Sequence, residues 1–266
     1  MGTSGSYGGS GSARWDAAHE AFTELHAAGD SSPAAAVADF LDKVLKALAT
    51  ALVFDDIDHG IVPPVGFPLH PSVYRPTGGG GGAGSATGRV GSGSPRQVLR
   101  GAARGAGAVA GAYALRDGDD AGLRELGLDP EQLATLGPRA QVAHILQVIL
   151  GDAAHPDDAA LRRATAKHVK AVILADVPPS PADSIRGLVA EWIYELTLVE
   201  LGSQQASAST SAAEMIRKQD WLRSWLNRRV RDIEIPDANR MTVQQFSAVA
   251  AKVTEEALRI FRSPSP

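Results

Sequence analysis

Glu191 and Glu195 stand one helical turn apart, the spacing at which paired carboxylates serve acid–base chemistry or share two metal ions. Di-iron helical bundles also need Glu-x-x-His from other helices, and the chain contains no such motif. The pair is therefore expected on a solvated acidic helix face. Asp55, Asp56, Asp58 and His59 form the densest cluster of acids and imidazole. Their oxygen and nitrogen donors suit a metal, but the spacing matches no metal motif, and helix ends before prolines commonly carry acids. No metal is expected. Asp117, Gly118, Asp119 and Asp120 resemble the start of a calcium loop. The longer acid series and the distal bidentate Glu are missing, so a turn capping a short helix is expected instead. His168 falls on the stripe of Leu161, Ala164 and Val172, where a lone histidine is expected half-buried and hydrogen-bonded.

The strongest basic–aromatic segment has Arg217, Lys218, Arg223, Arg228, Arg229 and Arg231 around Trp221 and Trp225. Such a surface could grip a nucleic-acid backbone with stacking support. The same tryptophans stand four apart beside Leu222, Leu226 and Val230, which is also the pattern of a core-facing stripe. Both readings stay open, the second making Trp221 a stability residue. Arg96, Arg100 and Arg104 line one helix face and suit an acidic partner. There is no nucleophile elbow, no phosphate loop with its Gly-Lys-Ser/Thr, and no HExxH. With nothing on which to build a mechanism, the chain is expected not to be an enzyme and to carry no cofactor.

These residues need elements to position them. Of the 266 residues, 44% are hydrophobic but only 5% aromatic, and much of the remainder is alanine. Alanine loses no side-chain entropy in a helix, so thin, closely approached helical cores are expected. The net charge of -4 gives no general push towards nucleic acid or an anionic membrane. The absence of cysteine excludes disulfides and thiol chemistry. No apolar run is long enough to span a bilayer, and the start lacks a signal-peptide layout; a cytoplasmic protein is expected.

Periodicity divides the chain. Residues 1–12 cannot bury enough surface to offset the entropy of ordering and are expected as a mobile tail. Residues 13–58 read as a helical hairpin, with helices over 13–29 and 33–54. Residues 59–95 are Pro-rich and then Gly-rich, with Gly78 to Gly82 unbroken, and read as a linker. Residues 96–262 read as a C-terminal helical domain. There, Val98, Ala102, Gly105 and Val109 make a narrow stripe of small residues, and Asp129, Pro130 and Gln132 resemble a helix start. Gly151 is expected to stop the helix around Ile145, and a further helix spans 157–176. Ser180, Pro181 and Asp183 open a helix with Ile185, Leu188, Val189, Trp192 and Leu196 inward, which Gly202 is expected to end. Thr242 and Gln245 cap the last helix. No alternating strand pattern is present. The fold predicted is all-α, a multi-helix bundle.

The opening Met-Gly-Thr-Ser-Gly-Ser has one further chemical possibility. A small second residue allows removal of the methionine, which frees the amine of Gly2 with a reference pKa of about 7.7 to 8.0. That amine is a usable nucleophile, and glycine enters pockets too narrow for other residues. Gly2 with Ser6 also fits the myristoylation pattern, but that needs a eukaryotic-type transferase, and the Ala/Gly/Arg/Asp-heavy composition points to a GC-rich bacterial genome.

The start MGTSGSYGGSGS resembles that of the QatB family, a component of the bacterial Qat anti-phage defence system. So do AARGAGAVAGAYALRDGDDAGLRELGLD over 102–129 and IYELTLVELG over 193–202. The likeness covers the tail and roughly residues 96–232. Residues 13–76 match no pattern of that family, and Ser10 stands where a proline usually follows the early Gly-Gly. The resemblance implies a system with an ATPase, a QueC-like enzyme and a TatD-like nuclease. A QueC-like enzyme activates a deazapurine carboxylate as an acyl-adenylate. The resemblance implies that Gly2 is the acyl acceptor, with Thr3, Ser4, Gly5, Ser6, Tyr7, Gly8 and Gly9 as the segment the partner reads. The alternative is a DNA-engaging or purely structural helical adaptor for an ATPase and nuclease complex.

Overall fold

A computed structural model describes residues 16–27, 95–153, 156–205, 212–235 and 241–262, and scattered positions between 36 and 47. Gly2 to Gly9, the cluster from Asp55 to His59 and the glycine run lie outside the described residues. Among the described residues every regular element is helical and none is a strand. The helices are α1 (Asp16–Ala27), α2 (Pro95–Asp117), α3 (Asp120–Glu125), α4 (Pro130–Ala134), α5 (Pro138–Leu150), α6 (Pro156–Leu174), α7 (Pro181–Gln205), α8 (Ala212–Arg231) and α9 (Val243–Arg262). The class is all-α, as the periodicity predicts. In the N-terminal part, α1 meets the helical residues near 40 through Phe22 and Phe40, whose ring centroids lie 5.5 Å apart.

The bundle is organised around α2, which packs against α5, α6, α7 and α9. From Gly105 to Ala112 every residue of α2 is buried, so it is apolar all round, as a central helix must be. Its small residues allow that crowding. A Cβ on Gly105 would lie 2.8 Å from the Thr165 hydroxyl oxygen of α6, closer than packed carbons tolerate. The second central helix is α7, buried from Leu188 to Thr197, with Ile185, Leu188, Val189, Trp192 and Leu196 inward as expected.

Local chemistry sets several helix ends. Ser180 and Asp183 bond reciprocally at the start of α7: the hydroxyl donates to Asp183 Oδ2 at 2.7 Å and accepts from the Asp183 N–H at 3.1 Å. Before α9 the Thr242 backbone N–H donates to Gln245 Oε1 at 2.9 Å, and the Gln245 N–H donates to the Thr242 hydroxyl oxygen at 3.3 Å. Asp119 accepts from the Gly122 N–H at 2.9 Å and so caps α3, which is the turn expected of the Asp117–Asp120 run. Asp129 caps α4 through the Glu131 N–H at 3.0 Å, with Pro130 at the first helical position. Gly151 ends α5 with a φ of 70°, a conformation that costs glycine little. Gly202 does not end α7, which continues to Gln205. A glycine inside a helix costs only about 1 kcal/mol relative to alanine, and the residues after it are compatible with helix.

Arginines from neighbouring helices satisfy other ends, where carbonyls lack intrahelical donors. Arg104 of α2 donates to the Leu150 carbonyl at 2.7 Å, and Arg162 of α6 donates to the Gly151 carbonyl, both at the end of α5. Arg116 of α2 holds the Val172 carbonyl in the last turn of α6 at 3.0 Å and the carbonyls of Ala175 and Asp176 just beyond it, both at 2.7 Å. Arg186 of α7 holds the Ile233 carbonyl after α8 at 3.1 to 3.2 Å. Each cation also meets the negative end of a helix dipole. Several arginines are thus absorbed in fixing the bundle.

Candidate functional site

The densest set of charged groups among the described residues lies where α6, α7 and α8 meet. Glu191 and Glu195 of α7 are 5% and 8% exposed, so the expected solvated acidic face is corrected: these carboxylates are buried. Their spacing is used for pairing. The Arg163 Nε donates to Glu195 Oε2 at 2.7 Å, and the Lys167 Nζ donates to Glu191 Oε2 at 2.8 Å. Arg223 of α8 donates from Nη2 to Glu191 Oε1 at 3.0 Å. The four-residue step on α6 matches the four-residue step on α7 read in the opposite direction, as antiparallel helices require. Arg163 and Lys167 remain about half exposed. Buried anions therefore lie beneath a rim of partly hydrated cations, an arrangement that removes much of the cost of burying the carboxylates.

Tyr194 and His168 border this set. The Arg223 guanidinium carbon stands 4.4 Å from the centre of the Tyr194 ring, a cation–π contact. Burial pushes the Tyr194 phenol above its ordinary value, with Arg223 opposing. Burial likewise raises Tyr113, whose hydroxyl donates to the Pro179 carbonyl at 2.6 Å and lies 2.8 Å from the Ser184 hydroxyl. His168 is half-buried and hydrogen-bonds to the Gly187 backbone; burial above all, with the Lys167 charge, pushes it down to about 4 against the pull of Glu191. A Cβ on Gly187 would lie 2.5 Å from His168 Cε1, so α6 and α7 approach closely there. Its Nε2 is buried with no hydrogen-bond partner. His168 is neutral at physiological pH and fills a helix crossing.

The basic–aromatic segment is split. Leu222, Leu226 and Val230 are the buried face of α8. Trp221 and Trp225 flank that face, half-buried against the core. Trp221 is therefore not the fully buried residue that its stripe suggests. Arg229 stands over the Trp225 ring at 5.4 Å, Arg228 and Arg231 are exposed, and Arg223 is drawn in to Glu191. Of the residues expected on one face of α2, Arg100 is exposed. Arg104 turns inward to Leu150 and lies 3.7 Å from Asp158. Arg96 belongs to the first turn of the helix, but its side chain is not among those described. Among the described side chains these basic residues do not share one surface; the side chains of Arg217 and Lys218, like that of Arg96, lie outside the described residues. Sequence reasoning missed Arg163, Lys167 and Arg116. The matched spacing of Arg163/Lys167 and Glu191/Glu195 was a usable signal for two of them.

Among the described residues no group of three or more His, Asp or Glu side chains could hold a metal ion, and no helix is long and apolar enough to cross a membrane. No protein-family model, curated protein or solved structure matches the chain.

Proposed function

We propose that this chain is a non-catalytic partner protein whose helical body carries the segment from Gly2 to Gly9 to a QueC-like enzyme, which acylates Gly2. The observation that carries this reading is the segment itself: twelve residues without a charged side chain, Gly2 second and Tyr7 the one aromatic. Its likeness to the QatB opening adds the chemical class of the acyl donor. The Gly2 amine attacks the carbonyl carbon of a deazapurine acyl-adenylate. An amide bond forms, the bond to the phosphate oxygen breaks, AMP leaves, and the amine gives up one proton. Tyr7 anchors the segment, with a ring to bury and a hydroxyl to pair. An ATPase and a TatD-like nuclease of the same defence system are the further partners proposed. The body suits such a role in that Arg104, Arg116, Arg163 and Lys167 serve to fix its own helices.

The test is reconstitution from purified components: this chain, the QueC-like enzyme, ATP and a deazapurine carboxylate. Acyl incorporation is expected for the native chain and not for Gly2→Pro, whose amine is secondary and hindered; incorporation into both variants would refute Gly2 as acceptor. The second reading, a DNA-engaging adaptor, draws on the half-exposed Trp221 and Trp225 beside Arg228 and Arg229. Salt-dependent DNA binding that is lost with those residues would favour it.

A further inference from the structure

The connection between α6 and α7 carries a short apolar segment that the packing of the bundle does not use. Residues 175–180 form neither helix nor strand, and within them Val177 is 85% exposed. Val177, Pro178, Pro179, Ser180 and Pro181 follow one another. Each proline fixes its own φ at about −65°, and the residue before a proline is held to extended or polyproline II geometry. That restraint falls on Val177, Pro178 and Ser180. Among the described residues no peptide bond is cis, so Val177 and Pro178 run as a stretch of polyproline II backbone.

The segment is anchored from both ends. Arg116 holds the carbonyls of Ala175 and Asp176 on one side, each at 2.7 Å. On the other, Tyr113 donates to the Pro179 carbonyl at 2.6 Å, and Ser180 is fixed in the cap of α7. Between these anchors the carbonyls of Val177 and Pro178 take no hydrogen bond from any described residue. Pro178 and Pro179 have no N–H to offer. The turn thus displays an exposed valine, a half-exposed proline ring and two open acceptors. Being pinned already, it loses little entropy when a partner binds.

We propose that Val177 and Pro178 form a docking turn for a partner protein with an aromatic-lined groove, of the chemistry that recognises polyproline II segments. What the turn displays selects this occupant. Flat rings pack against a proline ring and a branched aliphatic side chain, and an indole N–H or phenol O–H supplies the donor that the two carbonyls lack. A partner strand cannot pair here, since two consecutive residues have no N–H. A nucleic-acid backbone gains nothing from bare acceptors beside the exposed Asp176 carboxylate. That carboxylate calls instead for a lysine or arginine at the rim of the groove. Docking here requires no acylation of Gly2.

The probe is N-acetyl-tryptophanamide, which presents one aromatic plane and one indole N–H. It is titrated into the full chain with isotope-labelled Val and Leu methyl groups, and N-acetyl-leucinamide is the control without a ring. Ring-current shifts are expected at the Val177 methyls and not at those of Leu174, which is 40% exposed but lies on α6. Pro178→Ala loosens the backbone and adds an N–H. It is expected to weaken the Val177 response about threefold, while unchanged methyl signals from the core show that the variant folds. Equal shifts at Val177 and Leu174, an equal response to the leucine amide, or indifference to Pro178→Ala would overturn the docking turn. Val177 shifts that grow with protein concentration alone would overturn it in favour of a second copy of this chain, and shifts on adding oligo-dT in favour of nucleic acid.

Discussion

The indole of Trp192 lies directly against Gly101: a Cβ on that glycine would sit 2.7 Å from the ring carbon Cζ2. The same indole donates from Nε1 to the Val98 carbonyl at 3.0 Å. Ring and polar handle together fix α7 to the start of α2 in one register. Gly101→Ala is expected to cost about 1–3 kcal/mol by overpacking, read as a lower urea midpoint. An unchanged midpoint would show that the two helices part there without penalty.

Glu191 ties α6 to α8 by receiving Lys167 and Arg223 on its two oxygens. Glu191→Gln keeps the shape and removes the charge, leaving both cations partly hydrated. A loss of about 1–2 kcal/mol is expected, below the range for a fully buried pair. A double-mutant cycle with Lys167→Met should give a coupling above about 0.5 kcal/mol. Additive losses would reduce the contact to geometry without energy.

His168 makes stability depend on acid. Its folded value of about 4 lies below the ordinary 6.5, so the fold binds the neutral ring more tightly than the charged one. This contribution is complete above pH 6.5 and is lost as pH falls from 6.5 towards 4. Its upper bound is about 3 kcal/mol, and the imidazole is only half-buried. Thermal melts between pH 7 and 4 should fall less steeply for His168→Gln than for the native chain. Parallel slopes would contradict this.

Local signals carried many of the helix ends, because a cap is decided within a few residues: Ser180 with Asp183, Thr242 with Gln245, and Gly151 all act where their spacing places them. What was not legible depends on contacts distant in sequence. Nothing near Glu191 tells whether Lys167 or water will face it; the four-residue steps of Arg163/Lys167 and Glu191/Glu195 match in the sequence, but they meet only once α6 and α7 run antiparallel. The same holds for Arg104 and Arg116, which read as surface charge until a helix end arrives beside them. Trp221 stands one position off the stripe of Leu222, Leu226 and Val230. A bulky ring at a half-buried boundary looks like core when only its spacing is known.

That boundary position sets the expected effect of Trp221→Ala at about 2 kcal/mol, below the range for a fully buried tryptophan. Chemical denaturation measures it. If stability is unchanged while affinity for DNA falls, the α8 surface is a nucleic-acid contact instead.

Mass spectrometry of the N-terminal peptide, from cells that express the chain with and without the QueC-like partner, tests the proposed function most directly. With the partner present, the peptide beginning at Gly2 should gain the mass of a deazapurine acyl group, with fragment ions placing it on the glycine nitrogen. An unmodified Gly2 in both samples would contradict acylation and return the protein to the class of structural adaptors.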